Sequence, residues 1–190
     1  MSEDSFPFGL EQDSLANSLG AAIPNRSLMI VEGEIGGGKS LIAQRLAFGL
    51  SENGTKVALV TTELTTRGWL EQVNSIGYGM SDYIDNGQFL LMSRFGVLTE
   101  EVEVEITIND LLTNEGLRAA DFVIIDRASQ LIPLDTNPSA LLSAIRRFTA
   151  EGRTLMLCFD SDEVEPALLK HLPDNNLTLF GHHFLHLLPR

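Results

Sequence analysis

The run Gly33-Glu34-Ile35-Gly36-Gly37-Gly38-Lys39-Ser40 constrains this chain more than any other stretch. It matches the phosphate-binding pattern G-x-x-x-x-G-K-[ST] at every fixed position. Such a loop wraps a polyphosphate with its own backbone N–H groups, so it needs positions free of a Cβ. Four of its first six residues are glycine. Lys39 adds a mobile charge for the β- and γ-phosphates, and Ser40 offers a hydroxyl to Mg2+, which takes few protein ligands. The apolar run Ser27–Glu32 precedes the loop, and Ile42, Leu46 and Leu50 follow it at helical spacing. Strand, loop and helix in that order aim a helix N-terminus at the phosphates. A glycine-rich turn that binds nothing would not require those flanks. Residues Glu34, Ile35, Gly36, Gly37, Gly38, Lys39, Ser40 and Leu41 are therefore the candidate nucleotide-phosphate-binding residues.

The remainder reads as alternating strands and helices. Near-continuous apolar runs at 56–61, 89–92, 121–126 and 154–159 have the character of buried parallel strands. Helical spacing is expected at 10–19 with Gly20 as its stop. A second helix starts at Thr65 or Thr66, with Trp69, Val73 and Ile76 on its face and Gly77 beyond. A third covers 138–150, with Leu141, Leu142, Ile145 and Phe148 inward. Ile23 to Arg26 reads as a turn. Residues 102–108 alternate like a half-exposed strand, whereas 109–117 read as helix. A crossover before the next parallel strand favours helix for much of this stretch. A short helix at 164–171 and a last strand at 177–180 complete the pattern. The expected class is α/β: a mostly parallel sheet flanked by helices, with ligands at the carboxyl ends of its strands. An approach segment, 1–22, precedes one ATP-binding domain, 23–190.

Four apolar residues ending in Asp126 form the pattern that holds Mg2+ at a neighbouring strand end, usually through water. A strand-ending Asp that accepts loop hydrogen bonds is the plainer alternative. Glu63 ends another strand, where a carboxylate can polarise a water attacking the γ-phosphate. A solvated acid at a helix entry fits it equally. Asp160-Ser161-Asp162 reads as a loop cap. Arg127, Arg146 and Arg147 are candidates to face phosphates across a subunit contact, with solvated helix faces as the alternative. His182 and His186 have the spacing of two ligands on a helix face. The interleaved Phe184, Leu185, Leu187 and Leu188 favour a packing segment.

Composition narrows the rest. A formal charge of −13 over 190 residues argues against a nucleic-acid groove. No apolar run reaches the ~18 residues that cross a bilayer. The acidic first residues do not read as a secretory signal. The single cysteine, Cys158, lies in an apolar run and reads as a buried strand thiol. An acidic chain with only three lysines resembles proteins of salt-loving archaea, and it also fits an ordinary acidic cytoplasmic protein.

With these residues in view, the chain resembles the archaellum accessory ATPases, the FlaH or ArlH family of the KaiC-like branch of the RecA superfamily. The resemblance runs from Ile23 through the phosphate loop and Gln44–Gly49. It continues through Asn53-Gly54, Val60-Thr61-Thr62-Glu63-Leu64-Thr65-Thr66 and Ser75–Tyr78. It implies a RecA-like core that binds ATP and Mg2+, turns ATP over slowly, and regulates assembly or switching of the archaeal flagellar motor. By position it assigns Lys39 and Ser40 to the phosphate loop, Asp126 to the Mg2+ strand and Glu63 to the catalytic glutamate. The catalytic candidates are thus Glu63 and Lys39, and the metal candidates Ser40 and Asp126. The implied partners are the hexameric motor ATPase, the membrane platform protein and a scaffold ring. The implied location is the cytoplasm, at the membrane only through those partners, and a homo-oligomer stays open. A KaiC-like regulator unrelated to motility, and a scaffold with a permanent nucleotide, fit the same motifs. Three departures stand out: Arg127 where relatives commonly carry Ser, Asp160-Ser161 in place of a Thr- or Asn-type sensor, and shortened C-terminal strands.

Overall fold

A computed structural model describes residues 5–11, 14–95, 106–132, 136–160 and, for the backbone alone, 182–187. The strands are β1 (Ser5–Pro7), β2 (Ala22–Pro24), β3 (Leu28–Gly33), β4 (Val57–Thr61), β5 (Phe89–Ser93), β6 (Phe122–Ile125), β7 (Thr154–Asp160) and β8 (His182–Leu187). Six of them form one sheet in the order β5-β4-β6-β7-β3-β8, and every pairing in it is parallel. The helices are α1 (Ser14–Leu19), α2 (Lys39–Glu52), α3 (Thr66–Ser75), α4 (Ser81–Asp85), α5 (Ile108–Thr113), α6 (Glu115–Arg118) and α7 (Pro138–Ala150).

Alternate residues of each strand serve opposite faces, so one sheet organises two cores. On one face Ile30, Val60, Val123, Ile125 and Leu157 pack under Leu111 of α5 and Leu141, Ile145 and Phe148 of α7. On the other, Val31, Leu59, Ile124, Met156 and Cys158 meet Leu46 and Leu50 of α2 and Trp69 and Val73 of α3. Cys158 is fully buried, and burial pushes its thiol well above the ordinary range. Trp69 stacks on Phe89 at 5.5 Å between ring centroids.

Local chemistry sets the helix ends. The Thr65 side chain caps α3 by accepting from the Gly68 N–H. Thr107 and Asp110 form a capping box at the start of α5. Asn137 caps α7 ahead of Pro138.

The structure departs from the sequence reading at several places. Ile23 and Pro24, expected in a turn, belong instead to β2, which pairs antiparallel with Ser5–Pro7. Phe8, just past β1, is fully buried, and its carbonyl accepts both Nη1 and Nη2 of Arg45 on α2 at 3.2 Å. Asn53 Nδ2 donates to Gly9 O at 3.0 Å, so the amino-terminal segment is strapped to the far end of α2. Ile76 is 42% exposed, because α3 has ended before it. Helix α4 was not expected. The alternating stretch resolves as helix from Ile108 onward; 102–105 lie outside the described residues, as do the expected helix at 164–171 and strand at 177–180. His182–Leu187 is a strand beside β3, which removes the helical spacing imagined for His182 and His186. Among the described residues no helix is long and apolar enough to cross a membrane.

Candidate functional site

Strand β3 delivers the glycine loop to the carboxyl edge of the sheet, and α2 begins at Lys39. Gly36 and Gly38 sit at φ +78° and +90°, where side chains are strained. Gly37 donates its N–H to Glu34 O at 2.9 Å, and a Cβ there would lie 2.9 Å from that same oxygen. Gly36, Gly37 and Gly38 are thus required by the loop's own geometry.

A cavity of about 260 Å3 opens over the loop. Of the candidate nucleotide residues, Ile35, Gly36, Gly38, Lys39, Ser40 and Leu41 line it. Glu34 and Gly37 shape the turn behind them. Ile35 and Leu41 are 71% and 51% exposed, which leaves apolar surface at the cavity mouth.

Lys39 is buried and folded back. Its Nζ donates to Gly33 O at 3.0 Å and Glu34 O at 2.7 Å, and lies 2.5 Å from Asp160 Oδ1. Asp160 was expected to be a loop cap. It is instead a buried carboxylate at the end of β7, with Oδ2 2.9 Å from Arg127 Nε. Arg127 Nη1 in turn donates to Glu63 Oε1. Lys39, Asp160, Arg127 and Glu63 therefore alternate in sign across the cavity.

The strand order explains why Asp160, read from the sequence as a loop cap at the sensor position, belongs to the site. Asp126 was placed on the neighbour of the loop strand, but β7 lies between β3 and β6. The residue ending that middle strand faces both sides of the crevice. The signal was present in the buried run that ends at Asp160, but strand order is not written in a run of apolar residues. The sequence makes Arg127 a candidate for a neighbouring subunit's site; in the structure it lines its own. Arg146 and Arg147 are both exposed on α7, and Arg147 lines a separate cleft with Arg118 and Phe148.

Asp126 lies just past β6, continuing the ladder through its N–H to Val60 O at 3.0 Å. It is 6% exposed, its Oδ1 has no hydrogen-bond partner, and it is hydrogen-bonded to the Ser40 side chain. Burial pushes its carboxyl above the usual range; the Ser40 hydrogen bond opposes that shift and the Glu63 charge adds to it. An unpartnered buried carboxylate oxygen beside a hydroxyl is a hard-oxygen donor set that fits Mg2+. Among the described residues no group of three or more His, Cys, Asp or Glu side chains could hold a metal by itself. A cation here would thus lean on phosphate oxygens and water.

Glu63 stands on a loop held by hydroxyl groups. Thr62 Oγ1 donates to Asp126 O at 3.1 Å, Ser93 Oγ donates to Leu64 O at 2.6 Å, and Thr61 Oγ1 accepts the Leu64 N–H at 3.4 Å. The Thr-Thr-Glu-Leu-Thr run is thus a fastening that leaves the Glu63 side chain 42% exposed at the cavity rim.

A parallel sheet with a glycine loop at its carboxyl edge and a metal-competent carboxylate two strands away defines a P-loop ATPase of RecA-like fold. The family model described as "ATPase: KaiC" matches residues 13–160, and the chain belongs to that family. Within it the resemblance is to the archaeal flagellar proteins. The archaeal flagellar ATP-binding protein FlaH of Methanocaldococcus jannaschii is 31% identical over 173 residues, covering 90% of this chain and 71% of that protein. FlaH of Methanococcus voltae is 24% identical over 166 residues, covering 86% and 72%. The crystal structure of the flagellar accessory protein FlaH from M. jannaschii superposes with a TM-score of 0.77 at 27% identity, covering 88% of this chain and 75% of that one. The chain is a FlaH-like member of the KaiC branch, as its phosphate loop and Thr-Thr-Glu-Leu-Thr-Thr run imply.

Proposed function

We propose that the chain binds Mg·ATP at the Gly33–Ser40 loop and uses nucleotide state to control its association with the archaeal flagellar motor. The observation that carries this reading is the shared cavity: Lys39, Ser40, Glu63 and Arg127 line one space, with the unpartnered Asp126 Oδ1 behind Ser40. The loop N–H groups and the α2 N-terminus hold phosphate oxygens. Ser40 and Asp126 hold Mg2+, which supplies positive charge against the β- and γ-phosphates. Glu63 orients the attacking water. Before nucleotide binds, the Glu63 carboxylate is paired with Arg127; slow turnover is what the resemblance to the FlaH family implies.

The FlaH relatives are described as flagellar and ATP-binding, which supports partners in the motility machinery for this chain. By resemblance these are the motor ATPase, the membrane platform protein and the scaffold ring, met at the inner face of the cell membrane. ATP can drive docking only through a different affinity for two states of the chain. A second reading, in which the nucleotide is structural and never turned over, requires the Arg127–Glu63 pair to persist with nucleotide bound.

The test is nucleotide-dependent capture of purified partner by the wild type and Lys39→Ala. Capture by the wild type should require ATP and should vanish in the variant. Equal capture with and without ATP overturns the regulatory reading. Phosphate release that is lost in Glu63→Gln decides between slow catalysis and a structural nucleotide.

A further inference from the structure

We propose that Arg127 is a γ-phosphate contact supplied by this chain itself, with Glu63 as its counter-ion in the nucleotide-free state. On triphosphate binding the guanidinium leaves Glu63 for the terminal phosphate and keeps Asp160, which frees the Glu63 carboxylate. The inference rests on the ATP-binding reading above.

Geometry brings Arg127 to the cavity. It follows the metal-competent Asp126 and takes up a left-handed backbone conformation, φ 49° and ψ 57°. Few residues with side chains adopt that conformation. Its guanidinium contacts the ends of two other strand segments, Glu63 beyond β4 and Asp160 at the end of β7.

The cavity's other cation is already committed. An ammonium has three donors, and Lys39 Nζ faces three oxygens, on Gly33, Glu34 and Asp160. A phosphate entering between the carboxylates of Asp160 and Glu63 would be repelled unless a cation is reassigned to it.

Burial decides which ion pair gives way. The Asp160 side chain is 4% exposed and that of Glu63 is 42% exposed. A pair open to water is weak, whereas breaking a buried pair leaves an uncompensated charge. A guanidinium matches phosphate oxygens with a planar fork. Exchanging Glu63 for the γ-phosphate is therefore favourable, and exchanging Asp160 is not.

The test compares ATP and ADP affinities, with Mg2+ present, by competition against a fluorescent nucleotide. Asn tolerates the left-handed conformation, so Arg127→Asn removes the cation with little backbone strain. It should weaken ATP binding by roughly 10- to 100-fold, the size of one lost charge-assisted hydrogen bond, and change ADP binding little. Arg127→Lys, which keeps the charge without the fork, should fall between. Glu63→Gln releases the guanidinium and should tighten ATP binding without altering ADP binding, and should tighten it less in the Arg127→Asn background, where no guanidinium is there to release. Equal losses for ATP and ADP in Arg127→Asn, or weaker ATP binding in Glu63→Gln, overturn this inference and leave ATP binding standing. A folded wild type that retains neither nucleotide overturns both. Should Arg127→Asn fail to fold, the lysine and Glu63→Gln variants decide alone.

Discussion

Lys39 Nζ and Asp160 Oδ1 form a buried ion pair at 2.5 Å, at the point where the loop would grip phosphate. The loop's only lysine is thus neutralised by its own chain before any ligand arrives. Asp160 contacts Arg127 through its other oxygen, so a single carboxylate holds both of the cations that line the crevice among the described residues.

Replacing Asp160 with Asn should act in opposite directions on the free and liganded protein. Losing one partner of a buried pair costs about 3–5 kcal/mol when a charge is left bare. The two cations keep their other contacts, so the loss should sit at or below the lower end. Phosphate should then bind more tightly, because a negative charge has left the site. Thermal unfolding should show a lower Tm without nucleotide and a larger upward shift with Mg·ATP. An unchanged nucleotide shift would contradict the placement of Asp160.

Gly37→Ala should uncouple nucleotide binding from stability. The added Cβ meets Glu34 O at 2.9 Å, too close for a backbone neighbour that closes the turn. The loop must open, and ATP affinity should fall at least about tenfold, the equivalent of ~1.4 kcal/mol. The urea midpoint should move little, because Gly37 lies outside both cores.

Asp126→Asn should abolish the Mg2+ dependence of ATP affinity without destabilising the nucleotide-free protein. The substitution removes a buried charge whose Oδ1 has no partner. Titrating ATP with and without Mg2+ measures the first effect, and urea unfolding the second. A variant that keeps its Mg2+ dependence would move the metal elsewhere.

Gly49→Ala should loosen the amino-terminal strap. A Cβ at position 49 would come within 2.2 Å of Phe8 O and 2.3 Å of Arg45 Nη1. Overpacking of this kind costs about 1–3 kcal/mol. Limited proteolysis should cut ahead of β3 sooner than in the wild type.

The capping box at α5 should give stability a pH dependence. Hydrogen bonds from Thr107 hold the Asp110 carboxyl below its usual value. Its contribution is therefore complete above the unfolded-state value and is lost as pH falls through the folded one. Thr107→Ala should cost about 1 kcal/mol at neutral pH. That difference should shrink in acid, which urea melts at two pH values can measure.

The loop, both cores and α7 were legible because each is a local pattern: fixed glycine spacing, apolar runs, or helical periodicity. Asp126 and Glu63 were legible as acids at strand ends, because each follows a run of strand length in the sequence. The parts that were not legible depend on which strands become neighbours. Asp160 matters because β7 separates β3 from β6, an arrangement set by long-range packing. Arg127 faces inward because of one backbone torsion, which no residue pattern near it announces. The three-residue strands β1 and β2 are too short for alternation to register.

The solitary thiol of Cys158, sealed at the middle of β7, has a practical use. A sulfhydryl reagent reaches it only when the central sheet parts, so labelling speed becomes a clock for such excursions. Any ligand that steadies the native state should slow that clock, and the chain needs no engineered dye to report it.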